Sequence, residues 1–302
     1  MDLGYDGSLF ILAFDHRGSF KSKMFGVTAE PDEDERKRLD ASKRVVWQGF
    51  QKAHVLGLPE GAGILVDEEM GAGVAREASD LGIPFALPVE RSGQRAFDFE
   101  YGDDFGAHIE EFDPTFAKVL VRWNPADDPG LKEEQGGRLN LLSDWLHGHD
   151  RKFLFELLVP ASESQLELVG GDAGAFDSRM RPMLMLETIA ELRAMGIEPD
   201  IWKIEGVDER ADCKLLAALT MAGGRTAVRS VVLGRGADDA KVDHWLRSGA
   251  PVHGYAGFAI GRSIWWDAVS EWKNGALSDD DAADQIAANF RRFIDVYTSA
   301  GT

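Results

Sequence analysis

The chain of 302 residues repeats one local pattern along its length: a helical segment ends at glycine and is followed by a short apolar strand. Gly57 precedes the predicted strand at residues 64–66, and Gly196 precedes a strand that begins at Ile201. A glycine just past a helix end adopts the left-handed conformation at little cost, so these glycines mark helix ends. Together with the other apolar runs, the pattern predicts eight strands, at residues 10–14, 64–66, 85–87, 119–123, 153–159, 201–206, 231–233 and 255–260.

A helical pattern follows each predicted strand, and this alternation restricts the fold to two architectures. Eight strand–helix units predict a single-domain (β/α)8 TIM barrel over residues 1–302, with a doubly wound open sheet as the alternative. The segments from helix to strand are short, whereas several from strand to helix are long and polar, at residues 17–34, 91–106, 125–137 and 161–181. Because such segments build the active face of a TIM barrel, we expect the functional site at the carboxyl ends of the strands.

The charge balance narrows the range of partners. Asp and Glu number 52 against 33 Lys and Arg, which gives a net charge of −19. This excess of negative charge disfavours nucleic acid and anionic membranes as partners, and a small anionic substrate would need a local basic pocket. Cys213 is the only cysteine, and no segment resembles a signal peptide or the roughly 20 apolar residues of a membrane span, so a reducing cytoplasm is the expected location.

One lysine lies inside an apolar strand, where a charged side chain needs a specific reason. Lys203 interrupts the apolar run at residues 201–206. Burying an ammonium group costs several kcal/mol unless the group is paired or neutralised. Either Lys203 forms an ion pair with Glu205, two residues on and on the same face of the strand, or its desolvated amine attacks a carbonyl, as in a Schiff-base enzyme.

Polar side chains lie within or directly after every predicted strand, where a barrel core normally has branched apolar residues, and their convergence on one face indicates catalysis. Lys118 on the fourth strand would bring a second positive charge toward Lys203 on the sixth, which favours the neutral, nucleophilic amine. Glu156 on the fifth strand is flanked by Phe155 and Leu157, an apolar setting that favours the protonated carboxyl and proton exchange with substrate. The full set is Asp15, Arg17, Asp67, Glu69, Glu90, Lys118, Arg122, Asn124, Glu156, Lys203, Glu205, Arg235 and Arg262.

Two Gly-Arg segments follow the last two predicted strands. Gly234, Arg235 and Gly236 come after the seventh strand, and Gly261 and Arg262 come after the eighth. Glycines let backbone N–H groups approach an anion, helix N-termini add positive potential, and arginines supply charged donors. The loops after strands seven and eight are the common phosphate site of this fold, so these segments predict phosphate binding. The alternative is that the glycines serve tight turns and the arginines pair with surface acids.

A divalent metal ion is the main mechanistic alternative, because the chain contains seven histidines and many carboxylates. Only His16 is predicted on the active face. His108, His147, His149 and His253 precede strands and therefore lie toward the opposite end of the barrel. A catalytic zinc site usually needs more ligands than one histidine, so neither a metal nor any other cofactor is predicted.

The motifs that contain these residues resemble the tagatose-bisphosphate aldolase family of class I aldolases. They are more similar still to the aldolase-like domain fused to 5-dehydro-2-deoxygluconokinase in inositol catabolism. The resemblance covers almost the whole chain, and its most specific parts are DHRG on the first strand and WKIEG on the sixth. The motifs are LAFDHRGSF from Leu12, ILVDEEMG from Ile64, AKVLVRWNP from Ala117, FELLVP from Phe155, DIWKIEG from Asp200 and AIGRSIW from Ala259.

The resemblance implies specific roles for residues of the predicted site. Lys203 would be the Schiff-base lysine, Glu156 the acid–base residue and Lys118 a supporting active-site lysine. Arg235 and Arg262, with their glycines, would hold a substrate phosphate. Asp15 and Asp67 would contact substrate hydroxyls. The full set of predicted substrate-binding residues is Asp15, Arg17, Asp67, Arg122 and Glu205.

The resemblance also implies a reaction. A metal-independent aldolase would cleave a phosphorylated keto sugar or keto-sugar acid, with 5-dehydro-2-deoxygluconate 6-phosphate as the preferred substrate and dihydroxyacetone phosphate and malonate semialdehyde as products. Tagatose 1,6-bisphosphate, a sulfo-sugar phosphate, a metal-dependent lyase reaction and non-catalytic sugar-phosphate binding stay open, as does a homo-oligomeric assembly. His16 departs from the family, whose tagatose-bisphosphate enzymes usually have glutamine there, and the loops after strands three and five also differ.

Overall fold

Eight strands form a closed barrel in the computed structural model, which describes residues 2–301. Neighbouring strands are parallel in chain order around the ring, and the eighth pairs with the first. The predicted TIM barrel is therefore confirmed and the open sheet is excluded. The strands are β1 (Leu9–Phe14), β2 (Ala62–Val66), β3 (Phe85–Pro88), β4 (Phe116–Arg122), β5 (Lys152–Leu158), β6 (Ile201–Glu205), β7 (Arg229–Leu233) and β8 (Tyr255–Ile260).

Helices surround the barrel, and within residues 2–301 none is long and apolar enough to cross a membrane. A π-helical turn (Lys21–Phe25) follows α1, and a 3-10 turn (Gly102–Asp104) precedes α4. The helices are α1 (Gly18–Phe20), α2 (Glu33–Val55), α3 (Glu68–Asp80), α4 (Phe105–Phe112), α5 (Pro129–Gly148), α6 (Glu163–Leu168), α7 (Ala173–Arg179), α8 (Arg181–Ala194), α9 (Arg210–Met221), α10 (Asp239–Gly249), α11 (Arg262–Lys273) and α12 (Asp279–Gly301).

All four of the predicted long loops contain helical residues. Residues 129–137, expected as part of a loop, form the first turns of α5, because Asp128 caps the N–H of Leu131 and Pro129 occupies a first-turn position that needs no N–H donor. The segment at residues 161–181 contains α6 and α7. The polar composition that predicted loops here belongs to capped helix starts.

The alternation of side chains along each strand separates two apolar layers. On β5, Phe153, Phe155 and Leu157 face the helices, whereas Leu154 packs inside the barrel. Inward positions near the amino ends of the strands are apolar, as with Leu154 and Ile201. Two residues further on, Glu156 and Lys203 occupy inward positions directly opposite each other in the β5–β6 register. The apolar core thus ends where the charged residues begin.

Candidate active site

A cavity of about 390 Å³ opens at the carboxyl ends of the strands. It brings together predicted residues from six strands and the loops that follow them. Ten of the thirteen residues predicted to act in catalysis, substrate binding or phosphate binding line it, namely Asp15, Arg17, Lys118, Arg122, Glu156, Lys203, Arg235, Gly236, Gly261 and Arg262. Asp67, Glu205 and Gly234 are not among the lining residues.

Lys203 lies at the base of this cavity with a carboxylate partner on the neighbouring strand. Its Nζ donates to Glu156 Oε2 at 2.9 Å, and the Nζ of Lys118 lies 3.1 Å from the same oxygen. The suggested ion pair with Glu205 is therefore wrong: the partner of Lys203 is Glu156, which the parallel register places directly opposite. One carboxylate oxygen thus lies between two buried ammonium groups.

Lys118 is surrounded by three carboxylates. Its Nζ lies 2.7 Å from Asp15 Oδ2 and 3.0 Å from Glu90 Oε1, in addition to the contact with Glu156. Burial alone would lower the pKa of Lys118, but Asp15, Glu156 and Glu90 together raise it above its usual value. Lys118 is therefore a fixed cation at neutral pH, and its charge orients the carboxylates around it.

The ionisation of Glu156 differs from the sequence-based expectation. Burial favours the protonated carboxyl, but the ammonium groups of Lys118 and Lys203 outweigh it and lower the pKa of Glu156. Phe155 and Leu157, which suggested an apolar setting, point to the opposite face of the strand and pack in the outer core. The two ammonium groups therefore favour the ionised form of Glu156.

Asp15 is a second ionised carboxylate in the cavity. Burial acts to raise its pKa, but Lys118 and Lys203 lower it far below the usual value. The side chain follows β1 and contacts Lys118 rather than Lys203. Asp15 is therefore a hydrogen-bond acceptor that faces the cavity, and Lys118 holds it in place.

Glu90 has a part in this site that the sequence did not assign. Its Oε1 contacts Lys118 at 3.0 Å and Arg17 at 3.2 Å, and its backbone carbonyl accepts a second bond from Arg17 at 2.7 Å. Burial, against the effect of Lys118 and Arg17, raises the pKa of Glu90. The available signal was its position directly after β3, where it already appeared among the polar strand-end residues.

His16 lines the cavity as a neutral imidazole. Burial lowers its pKa to about 4, and nearby cations act in the same direction against Asp15. Its ring lies edge-on to Trp265, with 5.4 Å between the ring centroids, and Gly261 leaves only 3.0 Å between an added Cβ and His16 Cε1. The same Cβ would lie only 2.3 Å from the backbone carbonyl oxygen of Ala13, so the loop after β8 requires glycine mainly because it passes the end of β1.

Asp67, which the resemblance assigned to substrate hydroxyls, does not line the cavity and is paired with other parts of the chain. Its side chain is fully buried, and its Oδ2 accepts from Lys43 Nζ at 2.6 Å while its Oδ1 caps the N–H of Met70. Lys43 also donates to the backbone carbonyls of Phe14 and His16. Because these contacts use both carboxylate oxygens, Asp67 joins α2 to the ends of β1 and β2 and does not contact the cavity.

Glu205 also lies behind the cavity wall. Its Oε2 accepts from the N–H of Val159, and its Oε1 lies 3.3 Å from Arg181 and 3.0 Å from Arg235 Nε. Asp177 closes this group, because its carboxylate contacts Arg181 at 2.7 Å and Arg235 at 2.8 Å. Glu205 therefore contacts Arg235 from behind the cavity and is not among the residues that line it.

The two Gly-Arg segments meet at the β7–β8 side of the cavity. Arg262 Nη2 donates to the backbone carbonyl of Arg235 at 3.0 Å, and a Cβ on Gly236 would lie only 2.4 Å from the same nitrogen. Arg235 itself has a φ of 55°, uncommon for a residue with a side chain. Gly234 packs near Ile260 behind the loop. The guanidinium of Arg262 thus lies against Gly236. Arg262 is also the first residue of α11, where the N–H groups of the first helical turn have no partner within the helix.

The side-chain arrangement bears on the metal-dependent alternative. Within residues 2–301, no group of three or more His, Cys, Asp and Glu side chains is arranged to hold a metal ion. His16 is the histidine that lines the cavity. At the opposite end of the barrel, His147 lies 3.4 Å from Asp200, which also binds Lys152 and two backbone N–H groups. These contacts connect the amino ends of β5 and β6.

The fold and the charged cavity define a (β/α)8 barrel with a candidate active site at the carboxyl ends of its strands. The chain belongs to the DUF2090 family, described as an uncharacterized protein conserved in bacteria, whose model matches residues 5–301. No curated protein matches it in sequence.

Two solved structures share the fold. Fructose-bisphosphate aldolase from Plasmodium falciparum, solved in complex with TRAP and a small-molecule inhibitor, is 14% identical, with a TM-score of 0.67 over 98% of this chain and 92% of that chain. The protein Cgl0159 from Corynebacterium glutamicum is 17% identical, with a TM-score of 0.57 over 96% of this chain and 88% of that chain. At these identities the similarity establishes the barrel fold.

Proposed function

We propose that this protein is a class I aldolase that forms a Schiff base through Lys203 and cleaves a phosphorylated keto sugar or keto-sugar acid. The observation that carries the proposal is the shared carboxylate: Glu156 Oε2 lies within 3.1 Å of the ammonium groups of both Lys203 and Lys118 at the base of the cavity. A buried lysine with a proton acceptor in hydrogen-bond contact has the two parts that imine formation requires.

The reaction follows from these contacts. Glu156 accepts the proton that Lys203 must lose, and the neutral amine attacks the substrate ketone. The resulting carbinolamine loses water, with Glu156 returning a proton to the departing hydroxyl, and leaves a protonated imine. The imine withdraws electrons as a base takes the substrate hydroxyl proton, the carbon–carbon bond breaks and an aldehyde leaves. The enamine is then protonated on carbon, and water hydrolyses the imine to release the ketone and free Lys203.

The proposed substrate class depends on the side of the cavity at β7 and β8. Arg262, the glycines beside it and the start of α11 form a site suited to a phosphate on the ketone fragment. The family resemblance of the motifs supports 5-dehydro-2-deoxygluconate 6-phosphate as substrate, with dihydroxyacetone phosphate and malonate semialdehyde as products. Tagatose 1,6-bisphosphate and a sulfo-sugar phosphate are the competing substrates.

Borohydride reduction in the presence of dihydroxyacetone phosphate should trap a covalent adduct on Lys203. Reduction converts the imine to a stable amine, so intact mass followed by a peptide map gives both the stoichiometry and the site. The experiment should be run with EDTA present, because the proposed chemistry needs no divalent metal. An adduct on Lys118 would move the nucleophile to that residue, whereas phosphate binding without any adduct would favour a non-catalytic sugar-phosphate-binding barrel. Turnover that EDTA abolishes and zinc or magnesium restores would favour a metal-dependent lyase.

Replacing Arg262 by alanine should raise the KM for a phosphorylated substrate about 10- to 100-fold, because charge-assisted hydrogen bonds contribute roughly 1.5–3 kcal/mol. The KM for the corresponding unphosphorylated substrate should change little. Steady-state kinetics on the two substrates measure the difference, and Arg262→Lys, which retains charge without the planar fork, should give an intermediate KM. Equal increases on both substrates would assign Arg262 to the structure of the loop.

A further inference from the structure

The charge of the cavity is opposite to that of the chain. Six arginines and two lysines line it against the three carboxylates of Asp15, Glu90 and Glu156, although the chain as a whole carries a net charge of −19. The two lysines are matched by these carboxylates. The charge that is left belongs to arginines, so the distribution of the arginines indicates where a ligand carries negative charge.

Half of these arginines already have carboxylate partners. Arg17 pairs with Glu90, Arg91 lies 3.5 Å from Asp98, and Arg235 pairs with Asp177 and Glu205. Within residues 2–301, no carboxylate lies within ion-pair distance of the other three, Arg95, Arg122 and Arg262. Their guanidinium groups are therefore available to a ligand.

The three available arginines lie on two opposite sides of the barrel mouth. Arg262 follows β8, whereas Arg122 ends β4, and these strands are farthest apart in the ring of eight. Lys203 lies on β6, halfway between them in the strand order. A ligand whose ketone reaches Lys203 and whose phosphate reaches Arg262 therefore has its other end directed toward β4.

The loop after β3 carries the second arginine of that side. Its base is closed by an antiparallel bridge between Glu90 and Phe99 and by the bond from Arg91 N–H to Asp98 at 2.9 Å. Arg122 Nη1 donates to the carbonyl of Gln94 at 3.2 Å, so its guanidinium lies against the residue that precedes Arg95. Arg95 and Arg122 therefore both line the cavity on the side of β3 and β4, across the barrel from the loop that carries Arg262.

We propose that Arg95 and Arg122 form a second anion subsite, which binds a carboxylate or phosphate on the aldehyde half of the substrate. This inference rests on the proposed aldolase function, since that function fixes the ketone at Lys203. Guanidinium groups bind both kinds of anion through paired hydrogen bonds, and two of them on one wall of the cavity without carboxylate partners leave positive charge that an anion would offset. The enzyme would therefore discriminate against sugars whose distal end is neutral.

Aldol condensation separates the two halves of the substrate and tests the subsite directly. Dihydroxyacetone phosphate is held constant, and the aldehyde is malonate semialdehyde, glyceraldehyde 3-phosphate or neutral glyceraldehyde. The wild-type protein should prefer an anionic aldehyde, and the ratio between the first two identifies the anion. Arg95→Ala and Arg122→Ala should each lower kcat/KM for the preferred anionic aldehyde about 10- to 100-fold, with less than about a 2-fold change for glyceraldehyde. The matched control is Arg36→Ala, which removes an exposed arginine of α2 that is paired with Glu30. This variant should change neither value.

Failure of the subsite can be distinguished from failure of the aldolase function. If dihydroxyacetone phosphate still forms the reducible adduct on Lys203 but both variants lose activity equally with all aldehydes, the subsite is overturned and the aldolase proposal stands. A wild-type protein that traps the ketone yet shows no preference for anionic aldehydes also overturns the subsite alone. If the wild-type protein forms no adduct on Lys203, the aldolase proposal fails and the subsite loses its basis.

Discussion

Replacement of Lys203 by methionine should lower the rate of carbon–carbon bond cleavage on the order of 10⁴-fold or more, since removing the nucleophile of a covalent mechanism abolishes the pathway. Methionine matches the length of the lysine stem, and Glu156 keeps its contact with Lys118, so the barrel should remain folded. Release of dihydroxyacetone phosphate measures the turnover, and thermal unfolding checks the fold.

The matched control for Lys203 is a lysine of similar pairing outside the cavity. Lys132 on α5 is 17% exposed and lies 3.0 Å from Glu191. Lys132→Met therefore removes a partly buried, carboxylate-paired ammonium group and should retain near-normal turnover and normal trapping. Activity of Lys203→Met within about 10-fold of the wild-type value would reject Lys203 as the nucleophile.

Glu156→Gln should reduce kcat by about 10²–10⁴-fold, the usual contribution of general acid–base catalysis. Glutamine fills nearly the same volume and its carbonyl oxygen can still accept from a lysine, but the amide cannot take the proton that Lys203 loses. Lys118 retains Asp15 and Glu90 as partners, so the cluster should persist. Borohydride should still trap dihydroxyacetone phosphate on Lys203, at a lower rate.

Glu205→Gln is the comparison that separates the roles of the two glutamates. Both side chains are buried on the strands around Lys203, but Glu205 contacts Arg235, Arg181 and the N–H of Val159 behind the cavity. Its replacement should act mainly on substrate affinity through Arg235 and leave kcat within about an order of magnitude of the wild-type value. If Glu205→Gln abolishes cleavage while Glu156→Gln keeps near-normal turnover, the roles of the two glutamates are reversed.

Sequence patterns predicted the barrel well but were less accurate for element boundaries. β4 begins at Phe116, three residues before the predicted strand at 119–123, because Phe116 and Ala117 continue the same inward and outward alternation. α2 begins at Glu33, ahead of the apolar helical pattern, because Asp32 and Glu35 form a capping box that starts the helix in a polar segment. Local apolar patterns identify an element, whereas capping interactions determine where it begins.

For the cavity, strand position was informative and local environment was misleading. Lys118, Glu156 and Lys203 line the cavity because each occupies an inward position on its strand. Asp67 has a comparable position after β2, yet its carboxylate forms an ion pair with Lys43 of α2 and does not line the cavity. No local feature of the sequence around Asp67 indicates that a lysine from a helix 24 residues earlier will reach it.

The sequence by itself determined the eight strand–helix units, the end of the barrel that carries polar residues, and the strands on which those residues lie. These are local properties, since glycine conformation and the two-residue period of a strand depend only on neighbouring residues. Tertiary structure decided the pairing of Lys203 with Glu156, the ionised state of Glu156 and the withdrawal of Asp67 and Glu205 from the cavity. Electrostatic energies depend on distances between atoms, and those distances are set by how strands and helices far apart in the chain are packed together.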